Sequence, residues 1–379
     1  FKTYCETVVP KRLYSSFLFR GWDHTAGIDA RAQNSPTTGV SVENAANALS
    51  AIIGAGAAFI TLFGNSPYEE GRKSLHKESR LTMWERMMKF SKVQGDRDTI
   101  GFPQKKFNTL AQYFSWMYGG NTGIFFVLGS ANYKQVGTSI LNVIEQPSVL
   151  AYLSKPTWDG VTLADLITNF PPHPITITSH ISHMEPLQFQ QFTGARIRYK
   201  LKDLDTFDTQ AFLTACKNTD GSGVEDIFAK HTEYMYIEGR DPGANFPDQE
   251  LLEKGNNIAD STYISPAAMQ AGLLKNLGKT SAYIDSFSWE KLGELRQNAI
   301  TNGLEGSVDG TSTYDFAQKI VELAGEGLSQ EEQKYLAYPE FVLKTRQNGA
   351  DRAIAFVEKQ SGLLEKRLQE LVKSRVIII

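Results

Sequence analysis

The chain has 379 residues, 41% of them apolar and 21% charged, with a net charge of −3. That length allows one large domain or two smaller ones around a sizeable core. The charge balance excludes a basic nucleic-acid stripe and a polybasic membrane patch. The two cysteines, Cys5 and Cys216, are too few for a disulfide framework and fit a reducing compartment such as the cytoplasm.

In chain order, the first signal is "TAGIDARAQ" (25–33), with apolar Ala26, Ile28, Ala30 and Ala32 alternating with Asp29, Arg31 and Gln33. Period two predicts a strand with one greasy and one polar face. "AANALSAIIGAGAAFITLF" (45–63) is long enough to span a bilayer. It is rich in Ala, includes Asn47 and Ser50, and has no Lys or Arg flanks, so it reads as a long helix in a protein core. "LFGNSPYEEGRKS" (62–74) is a turn after that helix. "ESRLTMWERM" (78–87) places Arg80 and Trp84 one helical turn apart, the spacing of a surface cation–aromatic pair.

"HISHMEP" (180–186) offers His180, His183 and Glu185. The spacing can bind a metal, but no fourth ligand follows and the preceding "PITITS" reads as extended, which favours a turn with hydrogen-bonded histidines. "ARIRYK" (195–200) puts Arg196, Arg198 and Lys200 on one strand face. "EYMYIEGR" (233–240) puts Tyr234, Tyr236, Glu238 and Arg240 on one face and Met235 and Ile237 on the other, and Asp-Pro-Gly then ends the strand. Two readings are open: a sheet with one face in water, or an anion-handling face rich in guanidinium. Beyond about residue 260 helical periodicity dominates. In "STYDFAQKIVELAGEGL" Phe316, Ile320, Leu323 and Ala324 share a face and Gly327 marks the stop. No Rossmann fingerprint, Walker A loop or Ser-His-Asp spacing occurs.

Taken in order, "AGIDARA", the Ala-rich helix, "LFGNSP", "SRLTMW", "ARIRYK", "YIEGRD", "IVELAGEGL" and "YPEFVLKTRQNGADRAIAF" resemble the glutamate–cysteine ligase family over about residues 12–360. The resemblance implies an α+β fold: a curved antiparallel sheet forming a funnel, related to glutamine synthetase, within 1–255, and a helical C-terminal region over 256–379. It implies ATP and Mg2+ as cofactors, glutamate and an amine acceptor (cysteine first) as substrates, and a cytoplasmic enzyme of glutathione synthesis with no nucleic-acid or membrane partner. By that likeness Glu238 and Asp29 ligate metal, while Arg240, Arg198 and Tyr236 meet the nucleotide. Arg80, Asp29 and Trp84 hold substrate, and Arg240 and Arg80 act in catalysis. Two departures stand out. The family's Glu-x-Glu strand, which supplies further metal ligands, has no visible counterpart, so a missing upstream piece is expected. Asp29 replaces a usual His or Gln, and Gly239 replaces a more apolar residue, so the acceptor could differ from cysteine.

Overall fold

In the computed structural model, the described residues are 33–89, 97–121, 123–124, 126–128, 140–162, 164–165, 169, 171–188, 191–218 and 223–375. The expected strand at 25–33 falls outside them except for Gln33, which bridges to Gly243. Helices and small antiparallel sheets are mixed, as an α+β chain requires.

The sheet that positions the site has three strands: β1 (Thr37–Gly39), β6 (Ala195–Leu201) and β7 (Thr232–Gly239), in the order β1-β7-β6. Both pairings are antiparallel. A second antiparallel sheet runs as a meander through β2 (Phe126–Leu128), β3 (Ile140–Val143), β4 (Thr157–Thr162) and β5 (Ile175–Thr178).

The apolar run at 45–63 is not one helix but two. α1 (Ala45–Gly54) and α2 (Gly56–Phe63) meet at a 47° bend, and both are buried almost throughout. A Cβ on Gly56 would come 2.2 Å from Asp241 Oδ2, so the absence of a side chain there lets a buried carboxylate reach the joint. α1 covers the apolar face of β6 and β7, where Ile197, Tyr199, Met235 and Ile237 are buried. Burying each such side chain contributes roughly 1.5–3 kcal/mol. Among the described residues no single helix is long and apolar enough to cross a membrane.

The remaining frame is helical, as expected of the C-terminal part. α3 (Ser79–Met88) follows the turn after α2. α4 (Leu110–Trp116) lies behind the sheet, where Tyr118, just beyond it, shares a 2.9 Å hydrogen bond with Tyr199. α5 is Ser265–Lys275, α6 is Trp289–Asn302, α7 is Thr313–Gly327 and α8 is Gly349–Lys359. α2 packs against α6 and α7. Phe316, Ile320, Leu323 and Ala324 are buried together on α7, and that helix ends at Gly327.

Candidate functional site

The register of the first sheet decides which charges meet. Arg196 lies opposite Glu238, Arg198 opposite Tyr236, and Lys200 opposite Tyr234. On the other side of β7, Thr37 and Gly39 oppose Glu238 and Tyr236. Because α1 takes the apolar face, the ionic side chains share the opposite one. Arg196 Nη2 donates to Glu238 Oε1 at 2.7 Å, and Arg198 Nη1 donates to Glu238 Oε2 at 3.2 Å. All three side chains are at most 12% exposed. Two guanidiniums around one carboxylate leave a net positive cluster in a poorly solvated place, where charge-assisted bonds are strong. Burial raises the Glu238 pKa, but Arg196, then Arg240 and Arg198, outweigh it and hold the carboxyl below its usual value.

Arg240 follows β7 directly. Its N–H donates to Gly194 O at 2.8 Å, and its guanidinium stands 5.4 Å from the Phe192 ring centroid. Burial, then the charges of Arg196 and Arg80, pull its pKa below the usual arginine value. Arg80 reaches the same turn from the start of α3. Its Nη2 donates to the carbonyls of Arg240, Asp241 and Pro242 at 3.3, 2.9 and 3.3 Å. Its Nε pairs with Glu78 at 2.9 Å and its Nη1 reaches Gln33 Oε1 at 3.0 Å. Glu78, itself buried, also accepts from Asn65 N–H at 2.7 Å. Asp241 turns inward to Arg296 of α6, Nη2 to Oδ1 at 2.7 Å, with both residues buried. Gly194 admits it as Gly56 does: a Cβ there would come 2.3 Å from Oδ2.

The expected site residues are thus partly assembled. Glu238, Arg198, Tyr236 and Arg240 lie on or just beyond one sheet face, and Arg80 touches the turn that follows. Tyr236 is half-buried and stacked on Tyr234 at 6.1 Å between centroids. Burial raises its pKa against the lowering effect of Arg198. Arg80 is not in a surface pair, being 4% exposed with its guanidinium bound to backbone carbonyls and Glu78. Trp84 lies on α3 one turn after it. Asp29 falls outside the described residues. Gly239 has a packing reason: a Cβ would come 2.4 Å from Gln270 Oε1 and 3.0 Å from Pro36.

The histidine motif follows the extended segment, as expected, but winds into a 3-10 turn (Ile181–His183) and a short helix (Met184–Leu187) instead of a plain turn, with both histidines hydrogen-bonded. His183 Nδ1 lies 2.9 Å from Tyr152 Oη, and His180 Nδ1 lies 2.7 Å from Ser182 Oγ. Glu185 instead closes the outer edge of β6, accepting from Leu201 N–H at 2.6 Å and from Lys200 at 3.3 Å. Among the described residues no group of three or more His, Cys, Asp or Glu could hold a metal ion. Both Glu238 oxygens accept from guanidiniums, so the described residues do not fit the divalent ion that the resemblance implies.

Sequence reasoning missed Glu78, Gln188, Gln270 and Arg296. Each acts on a partner brought near only by the fold, except Glu78, which stands two residues before Arg80 in a motif already singled out.

Residues 40–159 match the model of glutamate-cysteine ligase family 2, and this supports a glutamate–cysteine ligase-like family and a ligase of that type. The matched segment carries α1, α2, Asn65, Arg80 and Trp84, while the face on β6 and β7 lies beyond it. No curated protein matches the chain in a sequence comparison.

Proposed function

We propose, from that family match as premise, that the chain is an ATP-dependent γ-glutamyl ligase joining the γ-carboxyl of glutamate to the amine of cysteine, the first step of glutathione synthesis, in the cytoplasm. A carboxylate oxygen of glutamate attacks the γ-phosphorus of ATP and ADP leaves. The amine of cysteine then attacks the acyl carbon of γ-glutamyl phosphate, inorganic phosphate departs, and the amine loses a proton. Such chemistry asks a protein chiefly for positioning and for cations against developing charge.

The observation that carries the reading is the family match over 40–159, joined to a cationic sheet face outside it. In this reading Arg198 and Arg240 meet the triphosphate, with Tyr236 beside it. Arg80 works through the backbone it holds, keeping the 240–242 turn in place. Mg2+ would screen phosphate charge, as in ligases of this type. The described residues do not themselves form its site, so no step here runs through it.

The test is phosphate release from ATP with glutamate and a panel of amines. Cysteine should stimulate most. Greater stimulation by another amine would move the acceptor, and no rise with any amine would sink the ligase reading in favour of a relative that only binds its ligand.

A further inference from the structure

We propose that Gln188 is a positioning residue for Arg198: it fixes the guanidinium on the cationic face while closing the edge of β6. This rests on the reading above that Arg198 meets the phosphates of the nucleotide.

Along β6 the odd residues turn their backbone N–H away from β7, and from Ile197 onward each finds a side chain. Ile197 N–H donates to Tyr113 Oη at 3.3 Å, Tyr199 N–H to Gln188 Oε1 at 2.8 Å, and Leu201 N–H to Glu185 Oε1 at 2.6 Å. Gln188 does more than its two neighbours. Its Nε2 donates back to Tyr199 O at 3.0 Å, so the amide pairs with that residue as a strand would. The same Oε1 accepts from Arg198 Nε at 3.1 Å. Gln188 is 3% exposed, and its amide is held at both ends.

A guanidinium on a flexible stem loses much freedom when it is aimed. Arg198 is held at Nε by Gln188 and at Nη1 by Glu238. The two restraints differ in kind. Glu238 is an anion, and an incoming phosphate competes with it for the same N–H groups. Gln188 is neutral and grips the far side of the group, so it can hold Arg198 in place whether or not an anion is bound. Preorganisation of this sort raises affinity without adding a contact to the ligand.

The test is a double-mutant cycle read by equilibrium binding of tripolyphosphate in EDTA, which separates anion binding from metal and from turnover. The variants are Gln188→Met, Arg198→Ala and the double. Each single change should weaken binding about tenfold, and the double should be no weaker than Arg198→Ala alone. The loss of melting temperature from Gln188→Met should persist in the Arg198→Ala background, because the Tyr199 edge bonds are lost in both. Should Gln188→Met fail to fold, Gln188→Asn, whose shorter amide cannot reach both partners, takes its place. A Gln188 variant that melts lower but binds tripolyphosphate as the parent does would overturn the proposal. So would losses that multiply in the double variant, or unchanged binding by Arg198→Ala. Phosphate release by the parent with glutamate and cysteine reports separately on the ligase reading.

Discussion

At the residue scale the decisive facts concern buried charge. Asp241 and Arg296 are 2% and 5% exposed and pair at 2.7 Å. Asp241→Asn leaves the Arg296 guanidinium buried without its counter-charge, which should cost about 3–5 kcal/mol in urea unfolding. Gly56→Ala tests the same pair sterically. A helix gains up to about 1 kcal/mol from Ala over Gly. Here the new Cβ would press on a carboxylate pinned by Arg296, and overpacking costs about 1–3 kcal/mol. The loss should win, so the variant should unfold at lower urea. Glu238→Gln removes the anion that holds the Arg196 and Arg198 guanidiniums, so ligase turnover should fall while the circular dichroism spectrum stays that of the parent; normal turnover would remove Glu238 from the site. The ionised carboxylate also carries a pH signature. Its folded pKa lies below the usual 4.5, so its stabilisation is complete above that value and fades as pH falls through the lowered one. The stability gap between parent and Glu238→Gln should therefore be widest near neutrality and narrow below pH 4.5. A gap that widens in acid would contradict the ion-pair assignment.

At the scale of the element, helix ends do as much as helix faces. Asn348 starts α8 with a reciprocal capping box, and its Nδ2 also donates to Thr61 O at 2.9 Å. Asn348→Ala removes a cap and strands a buried carbonyl, so about 1–3 kcal/mol should be lost in a thermal melt or urea titration. The period-two pattern made β6 and β7 legible, including which side chains share the ionic face. Alternation specifies a strand's two sides, and the antiparallel register set even-numbered residues opposite even-numbered ones. At 45–63 length and composition predicted one core helix and missed the bend at Gly54-Ala55-Gly56, where Gly56 leaves room for a carboxylate nearly two hundred residues away. Likewise, the spacing of Arg80 and Trp84 along one helix face carried no sign of the partners Arg80 finds, which include carbonyls of residues 240–242.

For the whole molecule, a net charge of −3 conceals a local excess of the other sign around Arg196, Arg198, Lys200 and Arg240. An anion that binds the folded state alone should stabilise it by about 2.7 kcal/mol at a hundred times its Kd. Tripolyphosphate should therefore raise the melting temperature, and added NaCl should erode the rise as screening grows. An unchanged melting curve would count against an anion-binding face. The mixed fold and the helical C-terminal part could be read in advance because they follow from periodicity. Pairings such as Asp241 with Arg296 could not, since both residue types are common and only tertiary structure brings them together.

The side-chain seal along β6 also governs how copies of this chain can associate. Sheets commonly recruit neighbours through bare backbone at a border, the route to runaway stacking. Here an arriving segment would have to evict a phenol, an amide and a carboxylate at once. Growth of fibrils or strand-exchanged dimers from that flank is thereby disfavoured.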